Sequence, residues 1–257
     1  MGIVSSDETK FVKLKNFNLV MGILHLFQGA LMLWLAPPGK GQIWTTFLDM
    51  QGNQIVSVQD VIASVPLGPL VASFLFVSAI AHLSLATYAY EWYVANLRRG
   101  VNYARWFEYA ISSSIMIVLI AMLVGIFELA SLILIFALNA TMNLFGLMME
   151  LHNQTTEKTD WTAYIMGCFA GFVPWVVLGI YFFGAILQDP ESVPLFVYAI
   201  YFMLAAFFNV FAINMVLQYR GKGRWADYLY GEKVYIILSL TAKSTLAWLV
   251  FGGTYRF

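Results

Sequence analysis

Cysteine is nearly missing. Cys168 is the only one in 257 residues, which excludes an intramolecular disulfide framework and a multi-cysteine metal site and leaves stability to helix packing. Charge is scarce as well. Asp, Glu, Lys and Arg together make up 11% of the chain against 61% hydrophobic residues, and the mean hydropathy is +0.75, well beyond an ordinary soluble domain. Such a chain is an integral membrane protein. A cleavable signal is also missing, because the first apolar run follows a mixed acidic and basic stretch and leads into an extended loop rather than a small-residue cleavage site. The formal net charge of zero says nothing about partners, but the placement of the charges does.

Residues 1–16 are polar and carry Lys10, Lys13 and Lys15, a lead-in to the first apolar span at about Phe17 to Leu35. Pro37-Pro38-Gly39 closes that span, since proline cannot continue a helix. The connection up to Pro66 is long for a link between membrane helices. Gln42 to Phe47 and Gln54 to Val58 read as short strands of a small β-hairpin there. Six more spans follow, at about Leu67 to Tyr93, Val101 to Phe127, Ala130 to Leu151, Trp161 to Leu187, Val193 to Tyr219 and Leu229 to Tyr255. Each is long enough to cross about 30 Å of hydrocarbon at about 1.5 Å per residue. The expected architecture is therefore an all-α seven-transmembrane-helix bundle forming one domain over 1–257, with the hairpin in the outer loop at about 36–66.

An odd number of spans puts the termini on opposite faces. The amino-terminal face would hold Lys10, Lys13, Lys15, Arg98, Arg99, Arg105, Lys158, Arg220, Lys222, Arg224 and Lys233, and the other only Lys40 and Arg256. Eleven against two is a strong bias, and by the positive-inside rule the amino terminus is cytoplasmic and the carboxyl terminus extracellular. Trp92, Tyr93, Trp161 and Tyr255 near span ends suit interfacial belts or plain packing.

The seventh span carries an anomaly, Lys243, near its middle. An ammonium at membrane depth is costly, so such a residue is paired or used. In an apolar pocket it can also act as the neutral amine that condenses with an aldehyde. Counting from the last polar or breaking residue before each outward-running span, His25 lies nine residues in, Glu108 eight and Lys243 ten, or roughly 12–15 Å. His82, nine residues before Glu91 on an inward-running span, reaches the same depth. Four ionisable side chains from four helices thus share one layer, with almost no others at depth.

Glu108 is the natural partner of a protonated Lys243 nitrogen. Ser239, one turn before the lysine, and Ser112, one turn after the glutamate, could hydrogen-bond the pair or simply bond their own helix backbones. His25 and His82 could hold protons beside it, or be satisfied core residues. Weaker pocket signals come from Tyr109, Met116, Asn139, Met142, Asn143, Phe172, Pro174, Trp175, Phe202, Phe207, Phe208 and Asn209, on helices that could enclose an elongated apolar ligand. Aromatic residues are 17% of the chain, so packing accounts for most of these. Pro174 would kink or open its helix. Glu150, His152 and Glu128 read as solvated end charges.

A seventh-helix lysine with a third-helix carboxylate at matching depth resembles the microbial-type retinal proteins. The inverted orientation and long first outer loop are similar to the heliorhodopsins in particular. His25, His82, the run Arg105-Trp106-Phe107-Glu108-Tyr109, Ser112, Ser113 and Ser239 through Lys243 carry the resemblance, which extends along essentially the whole chain. It implies all-trans retinal held on Lys243 as a protonated Schiff base with Glu108 as sole carboxylate counterion, light-driven isomerisation and a slow photocycle. It further implies a non-enzymatic photoreceptor that signals rather than pumps and forms homodimers among membrane lipids, with an unidentified signalling partner and no nucleic acid.

The residues beyond Glu108 bear on transport. That helix offers Ser112, Ser113, Ser114, Met116 and mostly aliphatics before Glu128, and the position one turn before the lysine is Ser239 rather than an acid. No titratable ladder crosses the outer half. Three classes stay in view: a light sensor acting through a partner, a light-driven or light-gated ion transporter, and a membrane enzyme or transporter using Lys243 without a chromophore.

Overall fold

The computed structural model describes residues 6–35 and 39–254; the Pro37-Pro38 stop, Tyr255 and Arg256 lie outside them. The described elements are α1 (Ser6–Leu35), β1 (Lys40–Gln51), β2 (Gln54–Pro66), α2 (Leu67–Ala86), α3 (Tyr90–Leu97), α4 (Tyr103–Leu123), α5 (Leu129–His152), α6 (Thr162–Gln188), α7 (Leu195–Arg220) and α8 (Tyr228–Thr254), with 3-10 turns at Pro190–Ser192 and Gly223–Ala226. All the helices but α3 are long and apolar enough to cross a membrane, which makes seven spans.

Three spans differ in their bounds from the expectation, each for a local reason. Residues 6–16, expected as a polar lead-in to the first span, form the first turns of α1, with Phe11 and Leu14 buried against Tyr93, Val94 and Leu97. The second span ends at Ala86 rather than Tyr93. Ser84 and Thr87 return their hydroxyls to the carbonyls of Ile80 and Leu83, and the chain turns before α3 begins. Tyr93 is therefore buried in that cluster rather than interfacial, while Trp92 remains half-exposed. The third span begins at Tyr103, where Asn102 caps it by accepting from the Arg105 N–H at 3.0 Å, and stops at Leu123 ahead of Gly125, whose φ of +97° suits glycine.

The hairpin is longer than expected, with a two-residue turn at Gly52-Asn53 and a bulge between Ile43 and Trp44. Gly52 takes a φ of +64° in that turn. The Trp44 N–H donates to the Phe127 carbonyl at 3.1 Å, and a Cβ on Gly41 would collide with Met122. The hairpin base is thus seated on the link between α4 and α5. Ion pairs Arg98–Glu8 and Lys10–Asp227 gather the start of α1, the α3–α4 link and the start of α8 at the opposite end.

The main core lies in the hairpin-side half, where Phe74 and Leu75 of α2, Ile117 and Ile120 of α4, Leu178 of α6, Ile200 and Leu204 of α7 and Leu246 and Ala247 of α8 are almost fully buried. Between α6 and α7 the contact is made by rings. Phe182 stacks on Tyr201 at 4.5 Å, and Trp175 meets Phe208 edge-on at 5.3 Å.

Candidate functional site

Lys243 is 3% exposed inside the bundle, and its Nζ donates to Glu108 Oε1 at 2.9 Å and to Ser239 Oγ at 2.7 Å. The same carboxylate oxygen accepts from Ser78 Oγ at 2.6 Å. The geometry follows from helical spacing: Ser239 and Lys243 are one turn apart on α8, so both face α4. Ser112 also faces Glu108 from one turn away, though its buried hydroxyl makes no hydrogen bond of normal geometry. A buried ammonium and carboxylate with hydroxyls on both is a charge pair whose desolvation is offset by contact and hydrogen bonds.

His25 and His82 come together, and His82 shares a small cavity with Glu108. His82 hydrogen-bonds Asn18 Oδ1 through Nδ1 at 2.7 Å and stacks on His25 with ring centres 5.6 Å apart. His25 is fully buried, and neither of its ring nitrogens has a partner. Sequence reasoning missed Ser78 and Asn18. Each had a signal, since Ser78 lies one turn before His82 and Asn18 two turns before His25 on the same helix face.

A cavity of about 120 Å³ opens from this pair between α4, α5, α6, α7 and α8. Tyr109, Ser113, Met116, Met142, Asn143, Phe208, Phe211, Ser239, Ala242 and Lys243 line it together with Trp106, Gly146, Gly167 and Cys168. Lys243 Nζ lies 5.2 Å from the Tyr109 ring centre. Glycine at 146 lets the Trp106 ring lie against α5, where a Cβ would collide with it. Asn139 and Asn143 both donate to Ser113 Oγ, at 2.8 and 3.0 Å, so most of the wall's polar groups are already engaged. Pro174, Trp175 and Phe207 are not in the lining; Trp175 stands behind Phe208, and Phe207 packs on the main core. Phe172, Phe202 and Asn209 face outward. An apolar cavity with an amine at one end and a carboxylate behind it fits an elongated apolar aldehyde such as retinal, which would meet Lys243 with the rest of its length among rings and methyl groups.

A second charged cluster, buried near the helix ends, corrects the expectation that Arg105 and Glu150 are solvated. Arg105, counted above as a surface cation, is 7% exposed, and its two terminal nitrogens are ion-paired to Glu150 and Glu232. Glu150, expected as a solvated end charge, is 2% exposed and also accepts from Trp106 Nε1 at 2.7 Å, the Asn102 N–H at 2.9 Å and the Tyr228 hydroxyl at 3.2 Å. Glu232, which sequence reasoning passed over, accepts from Asn102 Nδ2 at 2.6 Å. It lies eleven residues before Lys243, three turns along one face of α8, and that spacing was the available signal. A smaller cavity of about 30 Å³ separates the clusters and touches His82, Glu108, Arg105 and Glu232. At the two ends of α5, His152 is exposed as expected, while Glu128 is half-buried and caps the helix by accepting from the N–H groups of Ala130 and Ser131 at 3.0 and 2.6 Å.

A family model described as Heliorhodopsin matches residues 14–255. No curated protein matches the chain. Among solved structures, the transmembrane domain of the Salpingoeca rosetta rhodopsin phosphodiesterase aligns with a TM-score of 0.66 at 14% identity, over 100% of this chain and 91% of that one. The light-driven proton pump LR (Mac) of Leptosphaeria maculans gives 0.66 at 14% over 99% and 98%, and the thermophilic rhodopsin of Rubrobacter xylanophilus 0.60 at 15% over 96% of each. At such identities the likeness shows the fold alone, a seven-helix rhodopsin bundle.

Proposed function

The chain belongs to the heliorhodopsin family of retinal photoreceptors, and from that premise we propose that it is a light sensor whose output is signalling or regulation rather than ion pumping or catalysis. Lys243 would hold all-trans retinal through its Nζ, and the bound group would supply the chromophore and the light-driven isomerisation. The chain's residues do the rest. Glu108 balances the positive nitrogen and Ser78 and Ser239 hold that pair in register. His25 and His82 offer nearby nitrogens on which a displaced proton can rest, and a slow photocycle follows from keeping it local. Tyr109, Met142 and Asn143 shape the cavity wall, and Pro174, Trp175 and Phe207 support it from behind.

The observation that carries the sensor reading is the hairpin-side half of α4. From Ser112 onward its buried residues are Ser112, Ser114, Met116 and then Ile117, Leu119, Ile120, Ala121 and Met122, each at most 3% exposed. No described titratable side chain continues the path through that core, and a pump needs one. Orientation rests on the surface cations. With Arg105 removed from the count, ten basic residues still flank the amino-terminal face, which favours a cytoplasmic amino terminus in a multi-pass membrane protein. We read residues 1–257 as one transmembrane domain that forms homodimers.

The test is a visible spectrum of the protein expressed with all-trans retinal, beside Lys243→Ala and Glu108→Gln, followed by illumination in vesicles with external pH recorded. A band that vanishes with the alanine and moves with the glutamine, without a light-driven pH change, is the expected result. A steady light-driven pH gradient would replace the sensor by a transporter, and a folded protein with no band would remove retinal altogether.

A further inference from the structure

The outer face of α7 carries a polar group where lipid offers no partner. Asn209 lies near the middle of α7 and is exposed on the outside of the bundle, in a stripe with Phe202, Ala206 and Ile213. Other carboxamides on α5 and α7, those of Asn139, Asn143, Asn214 and Gln218, are buried or half-buried. Asn209 spends one amide hydrogen on the Ala205 carbonyl, at 2.8 Å. Its second amide hydrogen and its carbonyl oxygen point outward with no partner among the described residues. At mid-bilayer there is no water to satisfy them, so an interhelical hydrogen bond is the favourable alternative. Ala206, on the next turn, keeps the surface low enough for another backbone to approach.

α7 is also the least covered span, with 17% of its most apolar stretch buried against 33–67% in the others. Its inner face supplies Phe208, Phe211, Ala212 and Met215 to the cavity. One helix therefore touches the chromophore site on one side and presents Asn209 on the other.

We infer that the Asn209 face of α7 is the docking site for a membrane-spanning helix of a partner protein that carries a carboxamide near mid-bilayer, a group that both accepts the free amide hydrogen and donates to the free carbonyl. A second copy of this chain meets that need only if its two-fold axis passes through Asn209 itself, whereas a separate helix is under no such constraint. The inference rests on the sensor reading, because it assigns the surface through which movement at the cavity reaches an output.

The experiment uses the full chain with retinal in phosphatidylcholine vesicles, donor-labelled at its amino terminus. The probe is an acceptor-labelled leucine-rich transmembrane peptide with one central asparagine, compared with an all-leucine peptide. Energy transfer from the asparagine peptide should be stronger for the wild type and Asn209→Gln than for Asn209→Leu, by about threefold to tenfold in apparent affinity, the size of an interhelical hydrogen bond. Equal affinity for wild type and Asn209→Leu overturns the site. Self-association of the chain that is lost in Asn209→Leu overturns the partner, since a second copy then covers the face. The visible band and its light response, read in the same vesicles, report on the photoreceptor reading separately.

Discussion

Two buried charge clusters share α4, three residues apart, and they are built differently. Around Arg105, one guanidinium meets two carboxylates, and Asn102, Trp106, Tyr228 and Gln218 add hydrogen bonds. Arg105 is also sandwiched between rings, 4.4 Å from Trp106 and 4.0 Å from Tyr235. Around Lys243, one ammonium meets one carboxylate, and His25 and Ser112 keep buried polar atoms without partners. Arg105 Nε and the Tyr235 hydroxyl also lack partners, but a guanidinium held by two carboxylates at once resists change, whereas a single ion pair beside two unpartnered histidine nitrogens leaves room for a charge to move. The first cluster is a clasp joining α4, α5 and α8; the second is the place where chemistry is affordable.

That contrast can be broken by mutation. Removing the clasp has the largest expected effect on stability. Arg105→Gln strands two buried carboxylates and should cost on the order of 3–5 kcal/mol, seen as a lower thermal bleaching temperature with the visible band hardly moved. A strongly moved band at unchanged stability would exchange the roles of the two clusters. Glu108→Gln should do the reverse, with a large displacement of the band and a smaller loss of stability, because an amine can shed its proton in an apolar site and a guanidinium cannot. Ser78→Ala removes one hydrogen bond to the Glu108 carboxylate, worth roughly 1.5–3 kcal/mol when the acceptor is charged. It should shift the band in the same direction as Glu108→Gln but less far, and an opposite shift would remove Ser78 from the counterion.

The smallest effect belongs to neither cluster and serves as a control. Hydrogen bonds from Ser131, then from the Ala130 N–H, hold the Glu128 carboxyl below the usual carboxylate range. A group whose acid is strengthened by folding stabilises the fold above its unfolded pKa and stops doing so as pH falls through the depressed value. The cap should therefore act at neutral pH and fade below about pH 4. Glu128→Ala should cost about 1 kcal/mol at pH 7 and progressively less on acidification, with an unmoved visible band. A pH-independent cost would mean that the carboxylate is not the capping group.

Legibility differed between the clusters in the same way. Lys243 announced itself because a lysine in an apolar run is conspicuous, and Glu108, His25 and His82 could be matched to it by counting turns. The clasp was hidden by position. Arg105, Glu150 and Glu232 lie near helix ends, where charged residues ordinarily face water, and only the packing of α4, α5 and α8 brings them together. Serine and asparagine are too common for Ser78 or Asn18 to stand out, although both repeat the helical spacing of the histidines. Among the aromatic candidates, alternate sides of α6 and α7 look equivalent in a chain this apolar, so Phe208 could not be separated from Phe202, or Asn143 from Asn209.

By itself, then, the amino-acid sequence determined the membrane environment, the number of spans and the hairpin. These depend on composition, run length and rise per residue, all of which are local. The tertiary structure alone decided which way each helix is rotated, and with it the clasp, the cavity lining and the outward turn of Asn209. In a bilayer the lipid is as apolar as the core, so hydrophobic patterning exerts little torque on a helix, and rotation is chosen by side chains packing against one another.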